Sequence, residues 1–129
     1  MMKKYRNFKS ICLMITAIFL MSCQQTEQVK ISGSVNPEIA RKAIPATPNN
    51  MSLPEFGKEV IQWGSGPQQA KQRYETVNID DIAVMKNKGL TLEMAKSWQA
   101  FYENENKRNP ENQAAVYRAK LMKKIVNLW

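Results

Sequence analysis

Thr91-Leu92-Glu93-Met94-Ala95-Lys96-Ser97-Trp98-Gln99-Ala100-Phe101-Tyr102 is the stretch that decides the fold. Thr91 is a residue type that caps helix starts through its side-chain oxygen. Behind it, Met94, Ala95, Trp98, Phe101 and Tyr102 recur at spacings of three and four. That period puts them on one broad apolar stripe of an α-helix. Asn109-Pro110 closes the helix, because proline cannot extend it and disfavours helical backbone before itself.

The same grammar holds on both sides. Ser52-Leu53-Pro54-Glu55 has the form of a capping box with proline in the first turn. Leu53, Phe56, Val60 and Trp63 follow on one face, and Gly64 suits a left-handed C-cap. Ser65-Gly66-Pro67-Gln68 opens a second helix carrying Ala70, Arg73, Tyr74 and Val77. Asn78 or Asp80 caps a third with Ile79, Ile82 and Met85, which stops at Gly89. Asn109 or Asn112 starts the last, with Ala114, Tyr117, Leu121, Ile125 and Leu128 expected on the buried face. Runs of β-branched residues with period two are missing. The expected fold is all-α, a small bundle of four to five short helices over 52–129.

Upstream the chain changes character. Residues 24–50 are polar, free of aromatics and punctuated by Gly33, Pro37, Pro45 and Pro48. Such a segment buries too little apolar surface to offset its ordering entropy, so 23–51 reads as a flexible tether. Before it, Lys3, Lys4, Arg6 and Lys9 precede an apolar run from Ile11 to Met21. Roughly 7–15 apolar residues suit a signal peptide, against about 20 for a spanning helix.

Leu20-Met21-Ser22-Cys23 ends that run and resembles the lipobox of bacterial lipoproteins. The resemblance implies cleavage between Ser22 and Cys23, removal of 1–22, and acylation of the Cys23 thiol. Gln24, where that family uses Asp to retain proteins in the inner membrane, implies an outer-membrane anchor facing the periplasm. The readings without lipidation are an uncleaved apolar anchor or cleavage by the common signal peptidase. Two or more acyl chains, at about 0.8 kcal/mol per buried CH₂, hold almost irreversibly.

Composition narrows the chemistry. The net charge of +8 falls to about half once the cations of the signal are discounted, so nucleic acid is not an expected partner. Cys12 lies in the signal and Cys23 would be acylated, which leaves no cysteine pair for a disulfide. With no histidine in the chain, Ser-His-Asp and Cys-His catalysis and HExxH metal sites are excluded. No cofactor and no metal are expected.

Trp63-Gly64-Ser65-Gly66, Lys88-Gly89-Leu90-Thr91-Leu92-Glu93-Met94-Ala95, Trp98 with Phe101-Tyr102, and Asn109-Pro110 together resemble a small domain of unknown function in short exported proteins of Gram-negative bacteria. The likeness spans roughly 56–128. It implies a compact helical unit and brings no activity with it.

The candidate binding residues are Trp63, Ser65, Arg73, Trp98 and Tyr102. Around Trp63-Gly64-Ser65-Gly66 a helix start beside an indole can meet an anion, with Arg73 in reach; the plainer reading is a tight helical connection. Trp98 and Tyr102 are core residues or interface anchors. Arg118, Lys120, Lys123 and Lys124 form a solvated face or a contact for anionic lipid or peptidoglycan. The expected function is a membrane-anchored periplasmic lipoprotein whose helical domain binds another envelope protein, without catalysis. The alternative is an envelope-glycan binder, or a small glycan-cleaving protein using Glu59, Glu93, Glu103 or Asp81.

Overall fold

The computed structural model describes residues 35–129. The expected signal, Ser22, Cys23 and the first part of the tether lie outside the described residues. Helix α1 begins at Leu53–Glu55 and runs on through the wider turns of Phe56–Ile61. It is followed by α2 (Pro67–Thr76), α3 (Ile79–Asn87), α4 (Leu92–Arg108) and α5 (Gln113–Leu128), so the all-α bundle is what forms.

The starts follow the sequence. Ser52 Oγ accepts from the Glu55 amide at 3.3 Å. Asn78 makes a full capping box with Asp81: its Oδ1 accepts from the Asp80 and Asp81 amides at 2.9 and 3.2 Å, and Asp81 Oδ2 accepts from the Asn78 amide at 2.9 Å. Thr91 caps α4 through the Met94 amide, and Asn112 caps α5 through the Ala115 amide. Each such cap satisfies a helix-end donor and contributes about 1 kcal/mol.

Two local expectations are corrected. Helix α1 stops before Trp63: Gln62 takes the left-handed cap at φ 67°, and the Trp63 amide donates back to the Gly57 carbonyl at 3.0 Å. The wide turns shift the end of the helix relative to a 3.6-residue count. Helix α2 is preceded by Gly66 with no side-chain cap, so Ser65 does not cap it.

The long antiparallel pair α4 and α5 makes the most extensive packing, and α2 lies across α5. The buried stripe of α5 is Ala115, Ala119, Leu121, Met122 and Ile125. Leu121 and Ile125 are buried as expected, whereas Ala114, Tyr117 and Leu128 are half-buried, so the inner face is turned toward Ala115, Ala119 and Met122. Ala115 and Ala119 are small side chains on that buried face, where they allow neighbouring helices to approach closely.

At the centre lies an aromatic cluster. The Phe56 and Trp98 rings stack with centroids 5.2 Å apart, and Trp63 meets Tyr102 edge-on at 5.3 Å. Trp98 is wholly buried and its Nε1–H donates to the Ala46 carbonyl at 3.0 Å. The burial of each aromatic removes about 150–250 Å² from water, which is the main stabilising term for a body of this size.

The expected tether over 23–51 ends earlier, because residues 36–51 are bound to the bundle. The Asn36 amide donates to the Arg108 carbonyl at 2.7 Å, and the Lys42 amide to Asn104 Oδ1 at 3.0 Å. Arg108 Nε donates to the Ile39 carbonyl, and Asn104 Nδ2 to that of Ala40. Pro48 is fully buried. The strap lacks an apolar core of its own. It is held through its backbone groups by polar side chains of α4, an attachment that composition does not reveal.

Candidate functional site

The bundle leaves a groove beside the turn that joins α1 to α2. Leu53 and Pro54 supply one wall at the start of α1, and Lys58 lies on the next turn. Trp63, Gly64 and Ser65 come from the turn, Gln69 from α2 and Arg118 from α5. The cavity measures about 510 Å³, within the size range of small-ligand pockets.

Two glycines shape it. A side chain at Gly57 would overlap the Trp63 indole, so the bare backbone there is the seat of that ring. Gly64 has φ 67°, and any Cβ would meet the Gln69 side chain. Gln69 Oε1 accepts from the Ser65 amide at 2.6 Å and from its hydroxyl at 3.3 Å, which fixes the turn.

Arg118 dominates the electrostatics. Its guanidinium carbon sits 5.1 Å from the Trp63 ring centroid and 5.6 Å from that of Tyr102. Contacts of this kind contribute about 0.5–2 kcal/mol each, more where water is excluded. Nη2 donates to the Gly64 carbonyl at 3.3 Å and Nη1 to the Tyr102 hydroxyl at 3.5 Å. Its Nε is buried and has no hydrogen-bond partner among the described residues. Burial raises the Tyr102 phenol above its ordinary range, and the adjacent Arg118 works in the opposite direction.

The expected site residues separate. Trp63 and Ser65 both line the groove. Arg73 does not join them: its Nε donates to the Ile61 carbonyl at 2.9 Å, and Nη1 pairs with Asp81 at 3.4 Å. Trp98 and Tyr102 are buried at 0% and 5% exposure, as core residues and not as accessible anchors. The basic set also divides. Arg118 faces the groove, while Lys120, Lys123 and Lys124 border a shallow hollow with Tyr74 and Asn127. Lys124 Nζ donates to the Tyr74 carbonyl at 2.8 Å, where a cation complements the C-terminal end of α2.

Among the carboxylates proposed for glycan cleavage, Glu59, Glu93 and Glu103 are exposed, and Asp81 is engaged in its cap and with Arg73. None of the four lines the groove. Trp63 is 3% exposed and overlaid by Arg118, so it offers no free ring face for a sugar. Among the described residues no helix is long and apolar enough to cross a membrane, and no group of three or more metal-ligating side chains gathers.

Sequence reasoning missed Lys58 and misassigned Arg118. A signal for Arg118 was present: it follows the buried Ala115 by three and precedes the buried Met122 by four. An arginine in that register is directed toward the bundle.

A family model described as a domain of unknown function (DUF4951) matches residues 31–129. The chain belongs to this family. Among solved structures, an NMR structure of a protein from Acinetobacter baumannii is similar, with a TM-score of 0.65 and 44% identity. That similarity covers 81% of this chain and 95% of the other. No curated protein matches the chain. The family span takes in the strap as well as the five helices, in agreement with the hydrogen bonds that hold residues 36–51 to α4.

Proposed function

We propose that this DUF4951 protein is an envelope lipoprotein, tethered by acylated Cys23, whose helical body binds another envelope protein. The tether rests on the sequence from Lys3 to Cys23, where charge, apolar length, Ser22 and the cysteine agree. Outer-membrane attachment on the periplasmic side follows from Gln24 in the same pattern. The observation that carries the binding role is the groove: it is open, largely apolar and flanked by Lys58 and Arg118, with the bundle sealed behind it. Arginine is among the residue types most enriched where binding energy concentrates at protein interfaces, and Arg118 stands at the groove.

Glycan binding has less support. Its stacking platform and its carboxylate are both lacking at the groove, and Lys120, Lys123 and Lys124 remain as a contact for anionic lipid or peptidoglycan.

Two experiments test the proposal in the protein's own cells. Cys23→Ala should release the protein from the membrane fraction, and unchanged fractionation would refute the anchor. A photo-crosslinking amino acid in place of exposed Ser65 should capture a discrete protein. The same residue in place of exposed Glu93 should not. Identical patterns from the two positions would refute the groove as the binding face.

A further inference from the structure

We propose that the groove recognises a carboxylate carried next to an apolar side chain in a partner polypeptide, an inference that rests on reading the groove as a protein-binding face. Arg41, Arg73, Arg108 and Arg118 are the arginines among the described residues. Arg41 and Arg108 each pair with Glu105, and Arg73 pairs with Asp81. Arg118 has no carboxylate within salt-bridge distance among the described residues, although it is half-buried and its Nε lacks any acceptor.

The contacts Arg118 does make are to neutral oxygens at 3.3 and 3.5 Å, the long end of the hydrogen-bonding range. Its rings hold the guanidinium plane in place without consuming its charge. A held, uncompensated fork of donors suits a carboxylate, which can accept two parallel N–H bonds. Lys58 adds a second cation, and among the described residues no acid lines the cavity.

The rest of the lining selects what the carboxylate is attached to. Leu53 and Pro54 present apolar surface in front of the buried Trp63, so the groove is poorly suited to a small, fully hydrated anion. An apolar side chain beside the carboxylate would displace water from those walls while the charge meets Arg118. The open groove admits one such unit of an extended chain from the side.

The test uses the full chain in detergent micelles and ¹H–¹⁵N NMR. The probes are N-acetyl-phenylalanine, its C-terminal amide and inorganic phosphate. The acid should shift the Trp63 indole and the Gly64 and Ser65 amides. The Trp98 indole, hydrogen-bonded to Ala46, should stay still. The amide and phosphate should leave all of these unchanged.

Arg118→Gln should weaken the response about tenfold, as expected for loss of a charge-assisted hydrogen bond. Lys58→Gln should weaken it about threefold; this position is exposed, so folding is not at stake. An equal response to acid and amide, or to acid and phosphate, overturns the proposal. Capture of a protein from Ser65 in cells while all three probes are silent overturns the carboxylate chemistry and leaves the protein-binding reading standing. A carboxylate-selective response without capture does the opposite.

Discussion

Trp98 and Trp63 touch the same aromatic cluster, with centroids 6.0 Å apart, yet they serve different ends. Trp98 sits mid-helix on α4, fully enclosed, with its indole N–H bonded to the strap at Ala46. Trp63 sits beyond the end of α1, seated on a bare glycine, with a cation over its ring and a groove beside it. The contrast teaches that in a small helical body an aromatic on a regular stripe is spent on stability. An aromatic at a helix junction can reach the core with one edge and shape a surface with another.

The sharpest way to break this contrast is Trp98→Ala. Loss of a fully buried indole should cost about 3–5 kcal/mol, read from urea unfolding. A change below about 1 kcal/mol would mean that the site is not sealed. Gly57→Ala comes next. A methyl group under the Trp63 indole should cost about 1–3 kcal/mol through overpacking, and should move the Trp63 fluorescence while sparing the Ala46-bonded indole. Asn78→Ala should cost about 1 kcal/mol by removing a full capping box. If its effect rivals that of Gly57→Ala, the junction is not specially constrained.

The smallest expected effect is alkaline. Burial raises the Tyr102 phenol in the folded state, so the unfolded chain gives up that proton first. The contribution is fully present below the ordinary tyrosine value of about 10 and is lost as pH rises through the higher folded value. The urea midpoint should therefore fall from pH 9 toward 11, and Tyr102→Phe should flatten that part of the slope. An identical slope in the variant would place Tyr102 in water.

The contrast also explains what could be seen in the sequence. Helix starts at Ser52, Asn78, Thr91 and Asn112 are written in local chemistry, and each of these side chains caps its helix, although at Ser52 only the hydroxyl half of the expected capping box forms. The stripe of α4 needs nothing beyond its own spacing. The misreadings lie where a distant partner decides. Gln62 takes a left-handed cap although glycine stands two residues on, because the π-type turns end the helix early. The strap of 36–51 looks unstructured because its hydrogen-bond partners, Asn104 and Arg108, are far along the chain. The buried face of α5 includes Ala115, Ala119 and Met122, which only the packing of neighbouring helices selects, and Arg118 in the same register lines the groove.

A lipid tether delivering this groove to the periplasmic side of a membrane is the claim on which the functional account hangs. Intact-mass spectrometry of the protein from its own cells tests it most directly. The account requires a chain beginning at Cys23 and heavier than its amino acids by the mass of attached acyl groups. A mass that retains Met1, or an unmodified residue 23, would contradict it.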